Sequence, residues 1–162
     1  MPIIKKVSPS PKIKHLKLNP LSVAKFFWEK GIEDMALMQR ILYLLFFEVL
    51  KKESCLLFEE EWQAWPHGPV IESVFDKMFD HRHNLKKLFS SVEDIDSKLA
   101  LDYADTTYRK YQNTEQYLIF EKAQNKPWKD ARKPLKSEKQ TAKIPLNNLI
   151  KFANGKSSRI TA

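Results

Sequence analysis

Apolar residues recur along most of the chain at the spacing of a helix face. Near the start, Leu21, Ala24 and Phe27 follow each other at intervals of three residues, which places them on one side of a helix. An asparagine that can serve as an N-cap stands before them and is followed by a proline, which suits the first helical turn. Gly31 is a typical helix stop. The pattern therefore predicts a first helix over residues 19–31.

The next segment is apolar on nearly all sides and predicts the central helix of the core. It begins after Asp34, an N-cap candidate, and runs to about Lys52, where two adjacent lysines suit the negative end of the helix dipole. A helix with so little polar surface belongs inside a folded domain. Its apolar positions are Ile41, Leu42, Leu44, Leu45, Phe46, Phe47, Val49 and Leu50.

The rest of the chain predicts shorter elements and a mainly α fold. Helices are expected over residues 70–78, 85–89, 91–111, 114–126 and 145–152, with a turn at 80–84 and a polar loop at 132–143. Residues 53–66 are aromatic-rich and fit either a small hairpin or irregular structure. We therefore predict a single compact multi-helix domain, with a short β-hairpin around residues 54–65 as an option.

Length and composition indicate one domain with basic, flexible ends. A chain of 162 residues is the size of one ordinary domain. Residues 1–18 are predicted to be an extended basic arm, 19–155 the helical domain and 156–162 a frayed tail. The longest apolar stretch, residues 41–50, is about half of the ~20 residues that a membrane-spanning helix needs. With no signal-peptide pattern and a single cysteine, the prediction is a cytoplasmic protein without a membrane partner.

The charge is strongly uneven along the chain. The net charge is +8, yet residues 1–18 carry five lysines and no acid, and residues 122–162 carry eleven basic residues and two acids. The segment between these ends is net acidic. Basic ends of this kind either keep a protein soluble or bind a polyanion such as a nucleic acid, in which case binding depends steeply on salt.

Residues that could carry catalysis are few. Three glycines leave no phosphate-binding loop, and one cysteine leaves no cysteine-based zinc site. Cys55 stands in an apolar run, where a thiol is normally inert. His81 and His83 flank an arginine in a turn that is more typical of a solvated surface than of a metal site. The sequence therefore predicts no enzyme, no cofactor and no metal, although a hydrolase that uses His67 with these two histidines stays an alternative.

The most distinctive local feature is a cluster of aromatic residues beside constrained backbone. Two tryptophans and a Pro-His-Gly-Pro run fall within residues 62–69, and a Pro-Trp pair follows at residues 127–128. A partly exposed tryptophan is a typical anchor of a protein interface, whereas the alternative is that the indoles fill the core. The predicted partner-binding residues are Trp62, Trp65, His67, Gly68, Pro69, Pro127 and Trp128.

The order of these motifs resembles the Panacea domain, the SocA-like antitoxin family that is also found as phage-associated proteins. Residues 36–43 read ALMQRILY and are similar to the family's KLQKLLYF helix. Residues 57–70 read LFEEEWQAWPHGPV and resemble its LFxExFEAWxYGPV segment. Residues 127–132 read PWKDAR, similar to PWxxAR, and residues 22–27 and 144–152 resemble the opening and closing helices. The resemblance covers about residues 19–153.

This resemblance implies a binding function. Panacea domains neutralise diverse toxins, by direct contact or by delivery to an AAA+ protease, and no catalytic mechanism is established for them. A non-catalytic, antitoxin-like module with a protein partner is therefore expected, with a protease as a further partner. Gly68 is expected to allow a positive φ and a close backbone approach at the corner, and Pro69 to begin the next helix. The alternative is a nucleic-acid-associated protein that uses its basic ends.

Overall fold

The computed structural model describes residues 12–155 and shows a mainly helical domain with a few short strands. Its elements, in chain order, are β1 (Lys14–His15), α1 (Pro20–Glu29), α2 (Met35–Glu53), β2 (Cys55–Leu56), β3 (Gln63–Trp65), β4 (Gly68–Val70), α3 (Glu72–Asp80), α4 (Leu85–Ser90), α5 (Lys98–Tyr111), α6 (Gln116–Ala123), α7 (Lys126–Arg132), β5 (Ala142–Lys143) and α8 (Leu146–Ala153). The predicted fold class is confirmed. The predicted tail at residues 156–162 and most of the N-terminal arm lie outside the described residues.

Helix α2 is the centre of the core, as its sequence predicted. The Asp34 carboxylate accepts a hydrogen bond from the backbone N–H of Leu37 at 2.8 Å, which caps its start. It ends at Ser54, whose φ of 50° lies in the left-handed region that closes many helices. From Met38 to Leu50 only Glu48 is not buried. Helices α1, α3, α5, α6 and α8 and strands β2 and β4 all contact it, so this helix organises the whole domain.

The hairpin lies further along the chain than residues 54–65. Strand β2 pairs with β1 in parallel instead, with Lys14 opposite Cys55 and His15 opposite Leu56. The hairpin is β3–β4, and β5 pairs with the other edge of β3 to give a three-stranded antiparallel sheet. The placement predicted from sequence was wrong because the partner of β2 is a distant segment, which no local pattern reveals.

Residues 12–18 of the predicted arm run along the body of the domain. The backbone N–H groups of Leu16 and Leu18 donate to the carbonyls of Leu56 and Leu57 at 3.0 and 2.9 Å. The side chains of Ile13, Leu16 and Leu18 pack against the core. This part of the chain is therefore bound to the domain through strand pairing and apolar contact.

The predicted start of α5, with Ser91 as its cap, was six residues too early. Lys25 from α1 contacts the Asp94 carboxylate at 2.8 Å and donates to the backbone carbonyl of Val92 at 2.8 Å. These contacts hold residues 92–94 in a non-helical path. Ser97 then caps the helix, since its hydroxyl accepts from the N–H of Ala100 at 3.1 Å.

Two further helix starts differ from prediction. Thr114 does not cap α6, because its hydroxyl donates back to the carbonyl of Lys110 at 3.0 Å. The Asn-Lys-Pro sequence at residues 125–127, which was predicted to end a helix, also begins α7. The Asn125 amide oxygen accepts a hydrogen bond from the N–H of Trp128 at 3.4 Å, and Pro127 lies in the first turn. Within residues 12–155, no helix is both long enough and apolar enough to cross a membrane.

Candidate functional site

The corner of the molecule that the sequence singled out is the tight β3–β4 hairpin. Its two-residue turn is Pro66-His67, and Trp65 pairs with Gly68 across it. Side chains alternate along β3: Ala64 is buried, whereas Gln63 and Trp65 share the opposite face. The Trp65 indole N–H donates to the Gln63 side-chain oxygen at 2.8 Å, so this indole is tied to a side chain on the same face of the strand.

Arg40 of α2 supports the turn from inside the domain. It is 4% exposed, and its guanidinium lies 4.0 Å from the centre of the Phe120 ring. Nη1 donates to the carbonyl of Ala36 at 2.8 Å, and Nη2 donates to the carbonyl of His67. Burial lowers the pKa of Arg40, and the charge of Asp34 opposes this shift. An arginine keeps its proton in such surroundings, so a fixed cation lies behind the turn.

Gly68 is required by the closeness of this guanidinium. A Cβ at position 68 would lie 3.1 Å from Arg40 Cζ and Nη2. The φ of Gly68 is +159°, a positive value that residues with a side chain rarely adopt, so the dihedral angle as well as the space favours glycine, as the sequence predicted. The expected close approach is observed, and Pro69 lies in β4 rather than at a helix start.

Three side-chain donors, one directly after α6 and two on α7, bind the carbonyl groups of the hairpin. The Gln124 amide donates to the carbonyl of His67 at 2.9 Å, and the Trp128 indole N–H donates to the carbonyl of Trp65 at 2.9 Å. Arg132 Nη1 donates to the carbonyl of Ala64 at 2.9 Å. The two sequence motifs that carry the tryptophans thus meet in space, and the second one braces the first.

The predicted partner-binding residues divide into exposed and buried ones. His67 is exposed, and Trp65 and Trp128 are half-buried. Trp62, Gly68, Pro69 and Pro127 are buried, with Trp62 at 2% exposure against Tyr43 and Phe46 in the core. A buried side chain offers no contact area to a partner, so these four residues shape the corner from within, and we leave them out of the proposed contact surface.

Sequence reasoning missed an aromatic surface beside the corner. The Phe75 ring lies 4.8 Å from the Trp65 ring, and the Phe79 ring stacks on Phe75 at 5.7 Å. The guanidinium of Arg82 covers Phe79 at 4.2 Å from the ring centre. We call Trp65, Phe75 and Phe79 the aromatic ridge; Phe79 is 45% exposed and the other two are half-buried.

A signal for this ridge was present in the sequence of α3. Val74 and Met78 form its buried face, and Phe75 and Phe79 repeat the same spacing one position further on. A helix that carries a second apolar stripe has more apolar surface than its core contact uses.

An acidic cleft of about 400 Å³ lies next to the ridge. Gln63, which binds the Trp65 indole, is one of its lining residues. Its carboxylates are Glu60, Glu61, Glu72 and Asp76, and of these Glu61 contacts Lys143 at 3.3 Å. Such a surface attracts a positively charged partner.

The other candidate groups take structural or surface positions. Cys55 is 1% exposed, and burial raises the pKa of its thiol, which disfavours the nucleophilic thiolate. His81 and His83 lie at the end of α3, and residues 12–155 contain no group of three or more His, Cys, Asp or Glu placed to hold a metal ion. Nucleic-acid binding through the basic ends stays an untested alternative, since residues 1–11 and 156–162 lie outside the described part.

Fold and corner together define a small helical domain around one buried helix, with a hairpin braced by a Pro-Trp-x-x-Ala-Arg helix. Comparison with family models matches residues 38–158 to the antitoxin SocA-like, Panacea domain. Because the match spans well over half of the chain, the protein belongs to this antitoxin-like family. Neither the curated proteins nor the solved structures include a match to the chain.

Proposed function

We propose that this chain is a non-catalytic, antitoxin-like module that neutralises a partner protein by binding it at the aromatic ridge. Membership of the antitoxin-like family implies a protein partner in general. The observation that carries the proposed location is the ridge itself: two half-buried rings and one 45% exposed ring lie in contact on the surface beside an exposed histidine. Contiguous exposed aromatic surface is typical of interaction sites.

The rigidity of the corner supports this location. Trp65 and His67, two of the residues predicted from sequence, belong to the proposed contact surface. The backbone carbonyl of each accepts a hydrogen bond from a side chain outside the hairpin. A surface that is held in its bound shape loses little conformational entropy on association. The braced hairpin therefore suits a recognition surface.

The acidic cleft indicates the chemistry of the partner. Four carboxylates line the cleft beside the ridge, and one of them, Glu61, contacts a lysine. A partner surface that complements the ridge and the cleft therefore carries basic residues around an apolar centre. Charges of this kind mainly raise the association rate and select the partner. The proposed partner is therefore a basic, toxin-like protein.

Affinity capture with the tagged full chain, expressed in its native host, tests this proposal. Wild type is expected to enrich a stoichiometric partner protein, and Phe79→Ser is expected to lose it, because the ridge loses its most exposed ring. Tyr117→Ser is the matched control, since Tyr117 is 64% exposed on α6 and is not part of the ridge. Equal capture by wild type and Phe79→Ser would contradict the proposed location.

Expression of the captured protein with and without this chain then tests neutralisation. Growth inhibition by the captured protein alone, relieved by wild type and not by Phe79→Ser, is the expected result. If neutralisation requires delivery to a protease, the partner's level falls on co-expression; if it works by direct binding, the partner accumulates in the complex. A captured protein that leaves growth unchanged would contradict an antitoxin role.

A further inference from the structure

A second cavity, separate from the corner, lies between α2, α5, α6 and α8. Its volume is about 550 Å³, within the range of small-ligand sites. Its wall is apolar and aromatic: Leu44, Phe47, Tyr111, Phe152 and Ala153. The Phe152 ring meets the Phe47 ring edge-on at 5.5 Å and is 37% exposed.

Four lysines from three helices surround this apolar wall. Lys51 and Lys52 come from the last turn of α2, Lys110 from α5 and Lys122 from α6. Among the described residues, the one carboxylate in the lining is Glu48.

Three of these lysines form no ion pair within the described residues. Lys52 contacts Glu48 at 2.6 Å, and this hydrogen bond is the main cause that lowers the pKa of Glu48. The charges of Lys51 and Lys110 add to the lowering of this pKa. Within residues 12–155, Lys51, Lys110 and Lys122 form no ion pair. Three ammonium groups around one concave surface create a positive potential that draws in carboxylates or phosphates.

The surroundings of Tyr111 disfavour a nucleic acid as the occupant of the cavity. Sequence-tolerant binding of single strands relies on open ring faces on which bases stack. Here the ammonium groups of Lys110 and Lys122 each lie 5.4 Å from the centre of the Tyr111 ring, so they occupy the space in which a base would stack. The chain's own continuation carries Lys156 and Arg159, whose charge has the same sign as the cavity.

From this arrangement we infer that the cavity is a docking site for an acidic peptide segment that inserts an apolar side chain. The apolar side chain would pack against the rings of Phe47 and Phe152, which line the cavity together, and flanking carboxylates would face Lys51, Lys110 and Lys122. The site does not depend on the proposed function of the aromatic ridge, and the two surfaces share no lining residue.

Fluorescence anisotropy with the full chain and labelled pentapeptides tests this inference. The acidic probe is Asp-Glu-Phe-Glu-Asp, and its uncharged counterpart is Asn-Gln-Phe-Gln-Asn. The acidic probe is expected to bind at low salt and the uncharged one not to bind. Combining Lys51→Gln, Lys110→Gln and Lys122→Gln should weaken binding at least about tenfold, as expected for the loss of three surface charge contacts.

A matched triple variant controls for net charge. Lys86, Lys87 and Lys129 are exposed and lie outside the cavity lining, and replacing all three by Gln should change the affinity by no more than about twofold. Phe152→Ser should also weaken binding of the acidic probe, because the apolar side chain loses part of its wall. Circular dichroism of each variant verifies that it is folded.

Three results would overturn the inference. The first is the absence of acidic-peptide binding to wild type at low salt. The second is an equal loss of affinity in both triple variants, which would mean a diffuse charge effect. The third is tighter binding of a single-stranded DNA pentamer than of the acidic peptide, lost on replacing the cavity lysines, which would make the cavity a nucleic-acid site.

Discussion

At the scale of single residues, the corner depends on two positions: the buried cation of Arg40 and Gly68, which has no side chain. Arg40 reaches the turn only because Gly68 leaves the space that a Cβ would fill. The guanidinium cannot retreat easily, since its two terminal nitrogens hold the carbonyls of Ala36 and His67 and its face rests on Phe120. Its buried Nε–H has no hydrogen-bond partner among the described side chains and backbone groups, so this donor does not help to hold the guanidinium.

Gly68→Ala is therefore expected to lower the free energy of unfolding by about 1–3 kcal/mol, the usual cost of forcing an extra methyl into a packed interior. Urea unfolding measures it. In an Arg40→Met background the same substitution should be less harmful, because a flexible thioether can yield where a fixed guanidinium cannot. An equal effect of Gly68→Ala in both backgrounds would show that the two residues are not coupled.

At the scale of elements, α7 holds the hairpin in place. Trp128 and Arg132 stand four residues apart, so both project from one side of the helix and reach successive carbonyls of β3. Asn125 caps this helix and also accepts a hydrogen bond from the Tyr43 hydroxyl at 2.8 Å, which ties α7 to the central helix. The corner is thus connected to the core by hydrogen bonds as well as by packing.

Trp128→Phe removes the indole N–H but keeps an aromatic ring. The carbonyl of Trp65 then loses this side-chain donor, and we expect a loss of about 1–3 kcal/mol in the free energy of unfolding. Thermal or urea unfolding measures it. Replacement of the exposed Tyr117 by Phe is the control and should have no measurable effect on stability. Wild-type stability of Trp128→Phe would mean that this hydrogen bond does not brace the hairpin.

The helices that could be predicted from sequence are those whose ends carry local signals. Asn19 and Asp34 cap α1 and α2 as expected, because an N-cap acts on backbone groups two or three residues away. The start of α5 could not be predicted, since Lys25 from a distant helix binds Asp94 and Val92. The Pro-containing start of α7 was interpreted as an end only, although proline suits both sides of a helix boundary.

The position of the candidate site could be predicted from the sequence, but the exposure of its individual side chains could not. The sequence located the corner and the Pro-Trp pair but could not tell that Trp62 turns inward while Trp65 turns outward, since this follows from the register of β3 against β4 and β5. Phe75 and Phe79 join the site only because α3 follows the hairpin at an angle that brings their rings to Trp65. Such placement is a property of the tertiary structure.

At the scale of the whole molecule, charge is segregated in space as it is along the chain. The cleft beside the ridge is lined by four carboxylates, and the cavity between α2, α5, α6 and α8 by four lysines. A chain with a net charge of +8 therefore carries two surfaces whose charges have opposite signs. In the proposed function and in the further inference, each surface binds a partner segment of the opposite charge.

Hydrogen–deuterium exchange of the full chain, alone and in complex with the captured partner, tests most directly where that association takes place. If the aromatic ridge is the contact surface, the backbone amides of Trp65, His67 and residues 75–82 should exchange more slowly in the complex than in the free chain. Slower exchange confined to other parts of the chain, with these amides unchanged, would contradict the account.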